Sequence, residues 1–475
     1  MEPRIHRRDG SVQTLAAFLR GFSASLFQLP LHYAVCGDVA RSQEPDASCC
    51  KVLHNLLSIK SRVLMGVTAV IDAARHRPGE IVKVELPPAV ARALRTRLAE
   101  LGIEVLALPQ DVPLLPRQVA MAFAAKVLLH RLYRVLRRRL VPGVPLVRAW
   151  VEVTETMFGD LFDRAQLRVY PFGYGVRRQA SFVRALGVRG VRWSFDGVPY
   201  RWRDLLAPLW PGPDRHLRLA AAEWRAYDRF AAEVLEAGVR EVFTSDEFEV
   251  GAVAAGDRLL AAGATYVNAA HGIGLYSPRV SYSEFRYLHE HQASFYRAQG
   301  PAMTLTRRAS RNASPPFRRG DVEAFEDLVV VHVHQNFEHF DLPSEIAAQQ
   351  AILAALSELA REPGVTGLVK LHPNMPRSQV EGKLPANLRV ISRWDEARGA
   401  RPVFLTIYST AFYELAEAAP VLVYAAPTYN PKVYLDGDFD TFTEADLADR
   451  VRALRDPSAW GRLVDRQVRS LRDLA

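Results

Sequence analysis

Phe404-Leu405-Thr406-Ile407-Tyr408-Ser409-Thr410 is an apolar run that turns polar at its end. Ala411-Phe412-Tyr413-Glu414-Leu415-Ala416-Glu417 follows it with helical spacing. A second run closes in the same way on Val369-Lys370-Leu371-His372-Pro373. Each reads as a buried strand carrying polar groups at its carboxyl end, which is where open parallel sheets bind ligands. A helix that opens on Ser409-Thr410 offers backbone N–H groups and hydroxyls suited to a phosphate. The pair therefore points to a nucleotide or phosphate site with His372 beside it.

Outward from this pair the chain keeps alternating. Strands are expected at 327–334, 365–372, 388–391, 403–407 and 420–424. Helices are expected at 343–361, 409–419, 444–454 and 458–474. Such alternation over roughly 150 residues predicts a doubly wound, mostly parallel sheet. Before it, Thr306 to Asn312 and Pro315-Pro316 read as a linker. The expected domains are therefore 1–315 and 316–475, the last helix packing back on the first. In the first domain, strands at 80–86 and 103–108 flank a helix whose Val90, Leu94 and Leu98 recur at helical spacing. Further strands are expected at 240–244 and 264–270, with helices at 217–237 and 250–262. A helix is expected over Val12–Phe27. Residues 150–210 show no usable period.

The chain has 475 residues, 49% of them apolar, so it can bury more than one core. Its three cysteines lack disulfide or zinc-finger spacing, and a reducing cytoplasm is the simplest setting. The best N-terminal apolar stretch, Leu15–Cys36, is broken by Arg20, which fits neither a membrane span nor a secretory signal. The net charge of +9 is uneven. Residues 321–475 carry 16 basic and 23 acidic side chains, and the rest carries 45 and 29. Residues 112–151 hold Arg117, Lys126, Arg131, Arg134, Arg137, Arg138, Arg139 and Arg148 and no acid. A basic amphipathic helix over 118–140 is either an ordinary solvated helix or an interfacial one that meets an anionic membrane or a polyanionic acceptor. Nucleic acid is not expected, because only the charge favours it.

Each candidate site residue has a plain alternative. His372, at a strand end before a proline, can donate to phosphate or ribose, or be an idle loop histidine. Ser409 and Thr410 can bind a ligand or merely cap a helix. Glu414, one turn on, can accept from ribose hydroxyls or lie on a helix surface. Gln335 and Asn336 follow a strand in which His332 and His334 alternate. No third metal ligand is spaced to join those histidines, and no metal is expected. Asp246 and Glu247 end one strand and can supply a general base, or simply start a helix. His271-Gly272 ends the next strand, where glycine permits close approach by a substrate. No G-x-G-x-x-G follows a strand, and neither a Walker loop nor H-E-x-x-H occurs.

Lys370-Leu371-His372-Pro373 and Ser409-Thr410, with Glu414 on the next helix, resemble the His-Pro and Ser-Ser/Thr motifs of bacterial surface-polysaccharide glycosyltransferases. Polysialyltransferases, capsule Kdo transferases and teichoic-acid glycerophosphotransferases are such families. The strand end Asn268 to Gly272 is similar to a His-Gly strand end of the same group. The resemblance implies an α/β chain of GT-B fold, two Rossmann-like doubly wound domains facing across a cleft. It implies that His372, Ser409 and Thr410, with Lys370, Pro373, Glu414, Gln335 and Asn336 nearby, hold the phosphate of a nucleotide-activated, CMP-linked sugar. That sugar is a substrate, so no cofactor is implied, and the mechanism is metal-independent. The acceptor is a polysaccharide or a lipid-linked glycan, and the place of work is the cytoplasm at the inner membrane face. Asp246-Glu247-Phe248-Glu249-Val250-Gly251 departs from the group's acidic-acidic-Gly motif, which leaves the base among Asp246, Glu247 and His271. The alternatives are a CDP-glycerol glycerophosphotransferase, a sugar-nucleotide 2-epimerase and a non-catalytic glycan-binding subunit.

Overall fold

A computed structural model of the chain describes residues 2–473, except 150–152, 171–175, 207–209, 211, 300–301, 309–317, 338–342, 373–374, 376, 398 and 426–430. The chain forms two compact units. The first holds residues 1–22, 26–287 and 292–306, and the second holds 23–25, 288–291 and 307–475.

The first unit has two sheets. Strands β1 (Arg4–Arg7), β2 (Val12–Thr14), β3 (Ile81–Leu86) and β4 (Glu104–Ala107) make the smaller one, in the order β2-β1-β3-β4. β3 and β4 are parallel and flank the helix Pro88–Ala99, as their spacing predicts. β1 runs antiparallel to both its neighbours. The helix expected over Val12–Phe27 is not there. That segment is β2, a short helix Leu15–Leu19 and a 3₁₀ turn Ala24–Gln28. The Thr14 hydroxyl accepts from the Ala17 N–H and starts the helix late. Ser23 then belongs to the second unit, where its hydroxyl donates to Glu345 at 2.7 Å.

The larger sheet contains β5 (Leu146–Ala149), β6 (Gln166–Val169), β7 (Trp193–Phe195), β8 (Glu241–Thr244), β9 (Thr265–Ala269), β10 (Glu284–Tyr287) and β11 (Thr304–Arg307). Its order is β11-β10-β9-β8-β5-β6-β7. The chain starts in the middle, winds outward to β7, then returns beside β5 and winds the other way. Every pairing described in it from β10 to β7 is parallel. β6 and β7 lie in the stretch 150–210, whose sequence shows no period, and β5 ends just before it.

The second unit has one sheet: β12 (Leu328–His334), β13 (Val365–Leu371), β14 (Arg389–Ile391), β15 (Arg401–Thr406), β16 (Val421–Tyr424) and β17 (Asp440–Phe442). The order β14-β13-β12-β15-β16-β17 is the doubly wound order, and all its pairings are parallel. All seven residues of β12 are buried, as a central strand covered on both faces requires. The last helix, Pro457–Asp473, is fixed to this sheet. The Trp460 indole donates to the Pro402 carbonyl, and Gln467 donates to the Val421 carbonyl, both at 2.9 Å. The expected α/β class with two Rossmann-like sheets is thus present. Cys36, Cys49 and Cys50 are free thiols. Among the described residues no helix is long and apolar enough to cross a membrane.

Candidate functional site

In the second unit the switch point lies between β12 and β15, because the chain winds away from β12 on both sides. Connections leave these two strands in opposite directions and open a crevice at their carboxyl ends. The register sets Leu371 of β13 beside His334 of β12, and Leu405 of β15 beside His332. Adjacent strands are about 4.8 Å apart, so the three strand ends span about 10 Å. Lys370 and His372 therefore share one edge with Gln335 and Asn336, and with Thr406, Ser409 and Thr410. Pro373 lies outside the described residues.

The chemistry of this edge is cationic and hydroxylic. Lys370 sits 5.1 Å over the Trp394 ring and donates to its neighbour's carbonyl, Leu371, at 3.1 Å. Burial lowers its pKa below the usual lysine value. The Thr406 hydroxyl is buried and has no hydrogen-bond partner among the described residues. Tyr408 stacks on Tyr434 with centroids 4.2 Å apart and meets Phe337 edge-on at 5.3 Å. The Gln335 N–H donates to the Gln349 side chain at 2.9 Å. Glu414 is half-buried on the helix that follows Thr410.

That helix is shorter than its sequence predicts. It spans Ala411–Leu415 instead of 409–419. Beyond Leu415 the chain continues as turns, with the Ala418 and Ala419 N–H groups both donating to the Leu415 carbonyl before Pro420. Its amides are also largely used: Ala411 donates to the Ser409 hydroxyl, Phe412 to the Ser409 carbonyl and Tyr413 to the Thr410 carbonyl. The helix dipole is therefore a small part of any phosphate site here, and the side chains carry more of it. His332 and His334 also depart from a ligand role. Their rings are 5.5 Å apart in the core, and burial takes His332 down to about 3. Among the described residues no group of three His, Cys, Asp or Glu side chains is placed to hold a metal.

In the first unit the corresponding switch point lies between β5 and β8. The two acids after β8 point to different jobs. Asp246 is fully buried, takes 2.5 and 2.7 Å bonds from Arg148 and Tyr266, and another from Tyr282 at 2.9 Å. Burial outweighs those contacts and raises its pKa. Arg148, itself buried, also holds Asp196 at 2.9 Å. Glu247 is buried too, but it faces His271. It accepts from the His271 N–H at 2.7 Å and from Nδ1 at 2.8 Å, and from Asn268 at 3.1 Å. Burial alone pushes the Glu247 carboxyl up, but these charges and hydrogen bonds together leave it below the ordinary value. With Nδ1 donating to Glu247, Nε2 is the acceptor nitrogen. The His271 ring clusters with Phe248 and Tyr276, both at 4.8 Å from it and 6.3 Å from each other, and is about a quarter exposed. The hydroxyls of Ser245 and Ser277 are buried beside this strand end without hydrogen-bond partners among the described residues. The structure thus joins His271 to Glu247 and turns Asp246 toward Arg148.

Four of the eight cations in the basic stretch, Lys126, Arg134, Arg137 and Arg148, are paired with acids. Its helix spans Arg117–Leu136. Lys126 bridges Glu223 and Glu249, and Arg134 and Arg137 pair with Glu233. Arg148 lies in β5. The sequence places Arg148 and Lys126 only in a basic stretch and gives Glu249 and Thr406 no site role of their own. One signal for Arg148 was present: a lone arginine inside the apolar run Leu146 to Ala149 needs a buried counter-charge.

No family model and no curated protein matches the chain. Among solved structures, Anabaena Alr3699/HepE in complex with UDP-glucose is 12% identical, over 68% of this chain and 92% of that one, with a TM-score of 0.43. S. aureus MnaA with UDP is 10% identical, over 68% and 91%, at 0.42. The spinosyn rhamnosyltransferase SpnG is 11% identical, over 69% and 96%, at 0.35. Likeness at this level says nothing of substrate or reaction.

Proposed function

We propose that the chain is a glycosyltransferase of GT-B type that moves a sugar from a nucleotide-activated donor to a polysaccharide or lipid-linked acceptor. One observation carries this reading. Lys370, His372, Gln335, Asn336, Thr406, Ser409 and Thr410 lie at or just after the carboxyl ends of three adjacent parallel strands, and the switch point of a doubly wound sheet is where nucleotides bind. In this reading the cation, the histidine and the hydroxyls stabilise the phosphate as it leaves, without a metal. A hydroxyl oxygen of the acceptor attacks the anomeric carbon, the bond from that carbon to the phosphate oxygen breaks, and the proton passes to His271 Nε2. Glu247 orients the ring and balances the charge it gains. A CMP-linked donor, a bacterial surface polysaccharide as product and work at the inner face of the cytoplasmic membrane belong to the same reading.

The test has two parts. Thermal unfolding with CMP, CDP, UDP and GDP identifies the donor class by the nucleotide that stabilises the protein, and no shift with any of them counts against the reading. His372→Ala is expected to reduce transfer by about two orders of magnitude or more while the unfolding curve stays in place. Unchanged turnover in that variant overturns the assignment.

A further inference from the structure

We infer that the outer face of the helix Arg117–Leu136, with the helix Trp202–Leu206 beside it, docks onto an anionic lipid bilayer. It rests on the proposed function only in giving a reason for the attachment. Helices of globular proteins turn their apolar stripe inward. This one is apolar on two sides. Ala120, Phe123, Val127 and His130 are buried, while Met121, Leu128, Leu132, Val135 and Leu136 are exposed. At about 100° per residue, the exposed set occupies one sector of roughly 100°, opposite the buried set. Leu132 is 57% exposed and Val135 82%. No charged residue of the helix falls in that sector after Arg117. Its cations point elsewhere: Lys126 and Arg134 are in ion pairs, and Arg131 lies 4.1 Å over the ring of Trp202. Trp202 is 57% exposed, and Leu206, one turn on, is exposed as well.

The rim of this surface is cationic. Arg138 and Arg139 follow the helix directly, Arg201 and Arg203 flank Trp202, and all four are exposed. An apolar stripe with tryptophan at its side and arginines around it matches the interfacial zone of a bilayer with negative headgroups. A second copy of the chain fits less well, since a two-fold contact sets each cationic rim against its own image.

The measurement is co-sedimentation of the full chain with phosphatidylcholine vesicles, with and without phosphatidylglycerol, at low and high salt. Wild-type protein is expected to bind the phosphatidylglycerol vesicles and to keep a substantial bound fraction at high salt. The double variant Leu132→Glu, Val135→Glu is expected to lose about tenfold or more in partitioning with an unchanged unfolding curve, and Trp202→Ser to lose less. Both sites are exposed, so folding is not at issue. The proposal fails if vesicles do not bind the protein, or if salt abolishes binding that the double variant retains. It also fails if the double variant changes only the oligomeric state. The assay needs neither donor nor acceptor, so a failure here leaves the transferase reading standing, and loss of nucleotide binding leaves the attachment standing.

Discussion

In the proposed mechanism His271 accepts the acceptor's proton and Glu247, hydrogen-bonded to it at 2.8 Å, positions the ring. His271→Ala is expected to reduce turnover by about 10²–10⁴-fold, the usual worth of a general base. Glu247→Gln keeps the shape and loses the charge, so kcat should fall by a smaller factor with the donor's KM unchanged. Steady-state kinetics on both variants separates a proton acceptor from the group that positions it. The carboxylate also has a stability signature. Its pKa is below the ordinary value of 4.5, so its contribution is complete above that value and is lost as the pH falls through the folded one. The sequence shows these residues as strand ends. It does not show which acid faces the histidine, because that depends on Arg148, which lies 98 positions before Asp246 and captures it.

At the scale of elements, long apolar runs were readable and charged interiors were not. Strands β12, β13 and β15 stand within two residues of their expected bounds, since β12 and β15 are buried throughout and β13 is buried at five of its seven positions, which leaves a plain apolar pattern. β5 and β6 were hidden because Arg148 and Arg168 sit inside them, and both are buried. The basic helix read as a solvated or membrane-facing cation stripe. Its partners Glu223, Glu233 and Glu249 lie about a hundred residues away, beyond any local pattern. Removing one partner of such a network is costly. Arg148→Ala leaves Asp196 and Asp246 buried without their cation and should cost about 3–5 kcal/mol in chemical denaturation. Close packing sets another limit. A Cβ on Gly256 would sit 1.9 Å from the Ser281 carbonyl oxygen, so Gly256→Ala should cost about 1–3 kcal/mol and lower the melting temperature.

Across the whole molecule, acid sensitivity follows from histidines that burial keeps neutral. It holds His32, His216 and His289 at about 4, and His54 and His332 at about 3. The unfolded chain takes up these protons below 6.5, and the folded chain resists them until near 4. Stability is therefore full above 6.5 and drops as the pH falls through that window. A shift of this size is worth about 3 kcal/mol per histidine, so the melting temperature should fall steeply between these limits. A flat profile there would mean that these rings are hydrated in solution. The charge imbalance between the two parts of the chain is visible in the composition, but its meaning changes once the ion pairs are known, because much of the excess is neutralised locally. The helix that turns Leu128, Leu132 and Val135 outward also has a practical consequence at the bench. In plain buffer the purified protein should adhere to surfaces and scatter light as it is concentrated, and a mild non-ionic detergent should disperse it without altering its melting curve.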